Sequence, residues 1–275
     1  MKKYLWILLI LLAISLLTVN IFLIVKNSGN TSKENTAPDL IVEPKVIPVC
    51  SRSDPYKNSP EFERGLSLLY QRIEENPKAP YVSAQERQTM DLILKIRNCL
   101  NIQYGETNKN TEGYFIFDQD SKTDNLKIFV SKKYSGYDDA LTALLLTHEV
   151  THAAQFVNQK INGVEISCID KEVEAIKMEL QLIRFFNDEE QRSLGSRVNS
   201  EEEQERMGYS REDSSLTGIR ELFEINVNTG SECSDISGNS DFSKQLKEDC
   251  VDRSKTKYIK KLVMENPYYQ EQCSE

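Results

Sequence analysis

Residues 138–155 read DDALTALLLTHEVTHAAQ, and they hold both histidines of a 275-residue chain. Two aspartates open the stretch, where carboxylates complement the positive end of a helix. A nearly unbroken apolar run follows from Ala140 to Leu146, with no glycine or proline before Gln155. The pattern predicts a helix buried along most of its girth, carrying His148 and His152 into the interior.

Residues four apart on a helix project from one face a turn apart, so His148 and His152 can present two imidazole nitrogens to a single ion. Glu149 lies about 100° around the helix, beside such an ion. There its carboxylate can take a proton from a water held by the metal, which is the mechanical content of an H-E-x-x-H pattern. Two histidines in a chain of this length fall four apart, with glutamate after the first, in roughly 1 chain in 1,400, so chance is a weak rival. The competing reading is a pair of core histidines, because Leu141, Leu144 and Leu145 share their face. Burial and metal ligation are compatible.

A catalytic zinc site takes three protein ligands and leaves a fourth position open. No third histidine exists, so the third ligand must be acidic or a cysteine. The next amphipathic segment, CIDKEVEAIKMELQLI from Cys168, offers Glu172 and Glu174. Ile169, Val173, Ile176, Leu180 and Ile183 form its apolar face, with Glu172 about 60° from the centre of that face and Glu174 about 140° away. Glu172 is therefore expected to point inward as a ligand and Glu174 toward water near Lys177. Ala175, one turn from Glu172, leaves room for close approach of two helices. Glu179 is either a hydrogen-bond partner of a ligating imidazole or, as the preferred expectation, half of a rim salt bridge. Cys168 is a rival ligand on chemical grounds, although a disulfide or a buried thiol suits it better.

Around this centre the chain reads as α+β and helix-dominated. Phe62, Leu66, Leu69 and Ile73 fall at helical spacing, as do Met90, Leu92, Ile93, Ile96 and Leu100, predicting two helices separated near Pro77 to Pro80. Gly113–Asp118 and Leu126–Ser131, joined by a turn-rich segment, predict a short antiparallel hairpin. Further helices are expected at about 170–187, 215–226 and 241–265.

The N-terminus differs in kind. Tyr4 to Val25 is apolar apart from Ser15, Thr18 and Asn20, long enough to cross a bilayer as a helix. No small-residue cleavage motif follows, so residues 1–26 are expected to be an uncleaved transmembrane signal anchor and 27–49 a linker containing three prolines. Lysines flank the run on both sides and favour a cytoplasmic N-terminus only slightly. Residues 50–275 then form a domain outside the cytoplasm, at the cell surface or on the periplasmic side. The six cysteines, all downstream of the anchor, agree with an oxidising compartment, and six allow fifteen pairings. A net charge of −9 without a basic block argues against nucleic acid as a partner. The run Glu201–Glu205 reads as a solvated face.

His148-Glu-Val-Thr-His152, followed twenty residues later by Glu172-Val-Glu-Ala175, resembles the gluzincin branch of HExxH zinc metallopeptidases over about residues 126–185. Within that branch it is similar to small bacterial zinc metallopeptidases and to the mitochondrial inner-membrane metalloprotease family, in which HExxHA is followed by a cysteine and an E-x-x-A helix. The resemblance implies a zincin-like domain and an endopeptidase in which one Zn2+ is bound by His148, His152 and Glu172. It further implies that Glu149 acts as general base and that a peptide or protein is the substrate. Leu126–Ser131 is similar in placement to the zincin edge strand that pairs with substrate backbone. The sequence departs from the family in two places. Ile176 stands where many gluzincins carry an aspartate that orients a histidine. No histidine remains to stabilise an oxyanion, which leaves Tyr209, Tyr258, Tyr268 and Tyr269 as candidates. An alternative is a zincin-fold ectodomain that binds or scaffolds without turnover, against which the retained Glu149 argues.

Overall fold

The central element is the helix predicted from residues 138–155. In the computed structural model, which describes residues 49–79, 82–107, 112–116, 123–136, 138–198, 233, 235–237 and 240–274, it spans Asp139–Asn162. Asp138 caps its N-terminus by accepting a hydrogen bond from the Leu141 amide at 2.8 Å, and Gly163, at φ 64°, ends it in the left-handed conformation glycine favours. Between these caps almost every side chain from Ala140 to Val157 is buried. Thr147 and Thr151 tolerate burial because each hydroxyl donates to the carbonyl one turn back, both at 2.7 Å.

The elements run in the order α1 (Pro60–Glu75), α2 (Ala84–Ile96), β1 (Leu100–Gly105), β2 (Gly113–Phe115), β3 (Leu126–Ser131), α3 (Asp139–Asn162), α4 (Cys168–Phe185), α5 (Asp188–Val198), α6 (Asp241–Glu265) and α7 (Pro267–Gln272). α1, α2, α4 and the sheet all pack on α3, and α6 packs on α4. Phe62, Leu66, Leu69 and Ile73 of α1 face that core as their spacing predicts. Gly65 permits the approach, since a Cβ there would lie 2.7 Å from Thr142 Cγ2.

The fold is helix-dominated α+β, and the expected antiparallel hairpin is present as β2 and β3, joined by a third strand. The sheet has three strands in the order β1-β3-β2, with β1 parallel and β2 antiparallel to β3. Leu100, read as the end of a helix, begins β1: α2 stops at Ile96, a 3-10 turn over Arg97–Cys99 follows, and the chain then pairs Leu100 with Leu126. The expected edge strand Leu126–Ser131 is the central one. Its two sides are occupied by β1 and β2, which leaves β2 at the edge nearest α3.

All six cysteines are paired, as Cys50–Cys99, Cys168–Cys273 and Cys233–Cys250. Cys168 is thereby removed from the ligand candidates. No helix among the described residues is long and apolar enough to cross a membrane. The apolar run 4–25, nearly all of the linker, the acidic run 201–205 and the helix expected at 215–226 lie outside the described residues.

Candidate metal centre

Glu172 sits on the second turn of α4, whose N-terminus is capped by Ser167 accepting from the Asp170 amide at 3.2 Å. Ala175 is fully buried, as close packing of α4 on α3 requires. The carboxylate straddles the two imidazoles. Oε2 lies 3.2 Å from His148 Nε2, Oε1 lies 3.5 Å from His152 Nε2, and the two Nε2 atoms are 3.1 Å apart. With one donor atom from each residue, the set lies within 4.8 Å of one another.

This donor set fits one metal ion. Bonds of about 2.0–2.2 Å at tetrahedral angles place neighbouring donors about 3.3–3.6 Å apart, close to the separations found here. Two imidazole Nε2 atoms facing each other over a shared carboxylate also need a hydrogen or a cation between them. Burial disfavours the imidazolium, but the carboxylates of Glu179 and Glu172 outweigh it and raise the His148 pKa well above its ordinary value. Burial likewise works against the charged form of Glu172, and its contacts with the His148 and His152 imidazoles overcome it to hold the carboxyl far below the usual range.

Glu149 is buried next to these donors, and among the described residues its carboxylate makes no hydrogen bond. Burial raises its pKa, opposed by the charges of His148 and His152. The edge strand comes directly over it: a Cβ on Gly113 would lie 3.2 Å from Glu149 Cγ and 2.9 Å from the Phe129 carbonyl oxygen. Gly113→Val is therefore expected to cost about 1–3 kcal/mol by overpacking and to displace the Glu149 side chain. The measurement is the denaturation midpoint, and a variant as stable as the native protein would contradict the close approach.

Two acidic residues on α4 behave differently from their expected roles. Glu179 does not form a rim salt bridge but meets His148 Nδ1 at 3.3 Å. Glu174 is buried rather than solvated, and it hydrogen-bonds Thr89 of α2 and Gln155 Nε2, the latter at 3.0 Å. Lys177, its expected neighbour, pairs with Asp252 of α6 at 2.8 Å. The helical wheel placed Glu174 outside because it considered one packing face, whereas α4 is also covered by α2 and α6.

Three further residues reach the centre without a signal in the motif. Gln155 Oε1 lies 2.9 Å from His152 Nδ1, a contact its i, i+3 spacing could have suggested. Gln272 Nε2 donates to Glu172 Oε1 at 3.4 Å, from a helix that the Cys168–Cys273 disulfide fastens to the start of α4. No local pattern announces a contact across 100 residues. Glu112, half-buried beside Gly113, has its carboxyl pushed up to about 7 by burial and by the nearby Glu179 charge. Of the tyrosines considered, Tyr258 and Tyr269 pack on the hydrophobic core, while Tyr209 and the Tyr268 side chain lie outside what the structure describes. Searches against protein-family models, curated proteins and solved structures give no match for this chain.

Proposed function

We propose that the chain is a membrane-anchored, extracytoplasmic zinc metallopeptidase of zincin-like fold. The observation that carries the reading is the convergence of Glu172 from α4 on His148 and His152 of α3, with the buried Glu149 carboxylate beside them and unengaged. His148, His152 and Glu172 are the residues that would hold the ion, a two-nitrogen, one-oxygen set suited to zinc. Zinc bound there supplies Lewis acidity, lowering the pKa of water to about 7 and polarising a carbonyl oxygen.

The chain's own residues supply the rest. Glu149 accepts a proton from the attacking water at its carboxylate and passes it to the departing amine nitrogen. An extended peptide lies against β2, the free edge next to Glu149, where main-chain hydrogen bonds add a strand to the sheet. Glu179 and Gln155 orient the two imidazoles from behind. Pairing of all six cysteines supports a location in an oxidising compartment, as expected for a domain displayed beyond the membrane by residues 1–26.

The test is metal analysis of the purified full chain together with hydrolysis of a degenerate peptide library. The expected result is one zinc per chain and chelator-sensitive cleavage. A chain that takes up no zinc sinks the proposal, and one that binds zinc but cleaves no peptide is a binding ectodomain instead.

A further inference from the structure

The second imidazole is held by a chain of buried side chains that ends on another helix. Gln155 Oε1 faces His152 Nδ1 at 2.9 Å, and Gln155 Nε2 lies 3.0 Å from both the Lys171 carbonyl oxygen and Glu174 Oε2. The other Glu174 oxygen accepts a hydrogen bond from the Thr89 hydroxyl. His152, Gln155, Glu174 and Thr89 are between 3% and 7% exposed, so water does not substitute for these bonds.

The directions in this chain are determined by donor count. The Lys171 carbonyl and the Glu174 carboxylate can only accept, so both amide hydrogens of Gln155 are committed to them. Rotating the amide would turn its oxygen toward two acceptors inside the protein, leaving that oxygen and Glu174 Oε2 facing each other without a hydrogen between them. Gln155 Oε1 must therefore face His152, and because it too is an acceptor, the proton on His152 sits on Nδ1. In the neutral ring Nε2 is then left with its lone pair directed at the ligand cluster.

We propose that Glu174 is a positioning residue of the metal centre, acting through Gln155 to lock His152 in the Nδ1–H tautomer that presents Nε2 to the ion. The proposal rests on the metallopeptidase reading for the ion itself. It supplies for His152 an orienting carboxylate at position 174, whereas Glu179 serves His148 directly. The two imidazoles are thus braced by two different carboxylates of α4, one by direct contact and one through an amide.

The test uses the full chain with Glu174→Met, Gln155→Met, the double variant and Glu174→Gln. Zinc affinity is measured by competition with a chromophoric chelator, and the His152 tautomer by long-range proton-nitrogen NMR on metal-free protein. Each methionine variant is expected to weaken zinc binding roughly 10- to 100-fold and to lose the Nδ1–H signature. The double variant should be no weaker than Gln155→Met alone, since Glu174 acts through that amide. Glu174→Gln, which still offers an oxygen to Gln155, should keep near-native affinity. Additive losses in the double variant, or an unchanged tautomer and affinity in Glu174→Met, would overturn the proposal. Should a methionine variant fail to fold, Thr89→Val with the same two readouts probes the far end of the chain, and a weaker but measurable loss is expected. A native chain that binds no zinc refutes the metallopeptidase reading, while the tautomer measurement still decides whether the brace exists.

Discussion

Lys255→Met is expected to destabilise the protein by about 3–5 kcal/mol, the range for removing one partner of a buried ion pair. Lys255 on α6 is completely buried and its Nζ lies 2.6 Å from Glu86 Oε1, itself buried at the start of α2. Glu86 has a second task. Its Oε2 accepts from the Ser83 amide at 2.7 Å while Ser83 Oγ accepts from the Glu86 amide at 3.2 Å, a capping box that starts the helix. Methionine matches the length of the lysine stem but leaves a carboxylate oxygen in the interior without its cation. The cost should therefore come from the stranded charge rather than from lost packing. Combining Lys255→Met with Glu86→Gln removes that charge and keeps an acceptor for the Ser83 amide, and it should restore most of the stability. Equilibrium denaturation of Lys255→Met, Glu86→Gln and the double variant with disulfides intact provides the measurement. A single variant within 1 kcal/mol of native, on the order of an exposed pair, would show that the pair is not isolated from solvent.

On the proposed metallopeptidase reading, Glu149→Gln is expected to lower peptide hydrolysis by roughly 10²–10⁴-fold, the contribution of a positioned general base, with zinc content unchanged from the native chain. The amide has nearly the shape of the carboxylate but cannot take up a proton, and Glu149 is not among the converging donors. His152→Ala should have the opposite signature, losing the metal and activity together. The contrast separates proton transfer from ligation. Hydrolysis undiminished in Glu149→Gln would remove the proposed mechanism even if zinc is bound.

Much of the centre was legible locally because a helix has a short, fixed period. His148, Glu149 and His152 lie within five residues, and a single helical turn determines that the imidazoles share a face. The inward turn of Glu172 is readable from the apolar stripe of its own helix, which it flanks. The same wheel misplaced Glu174, because a helix with neighbours on several sides buries residues outside its most apolar stripe. Leu100 was misread because its spacing from Ile96 continues a helical pattern, and what ends the helix is the pairing of the following residues with a strand 26 positions later.

Local pattern is enough for the acidic opening of the central helix at Asp138 and Asp139, the buried helix with its two histidines, and an even set of cysteines. Long-range packing makes β3 central and β2 the edge beside Glu149. It also decides which cysteines pair, that Gln272 reaches Glu172 from the far end of the chain, and that Glu174 turns to Gln155 instead of solvent. The physical reason is the range of the forces. Helix periodicity and capping act over three or four residues, whereas strand order, disulfide pairing and the satisfaction of a buried carboxylate depend on partners far along the chain that no local pattern names.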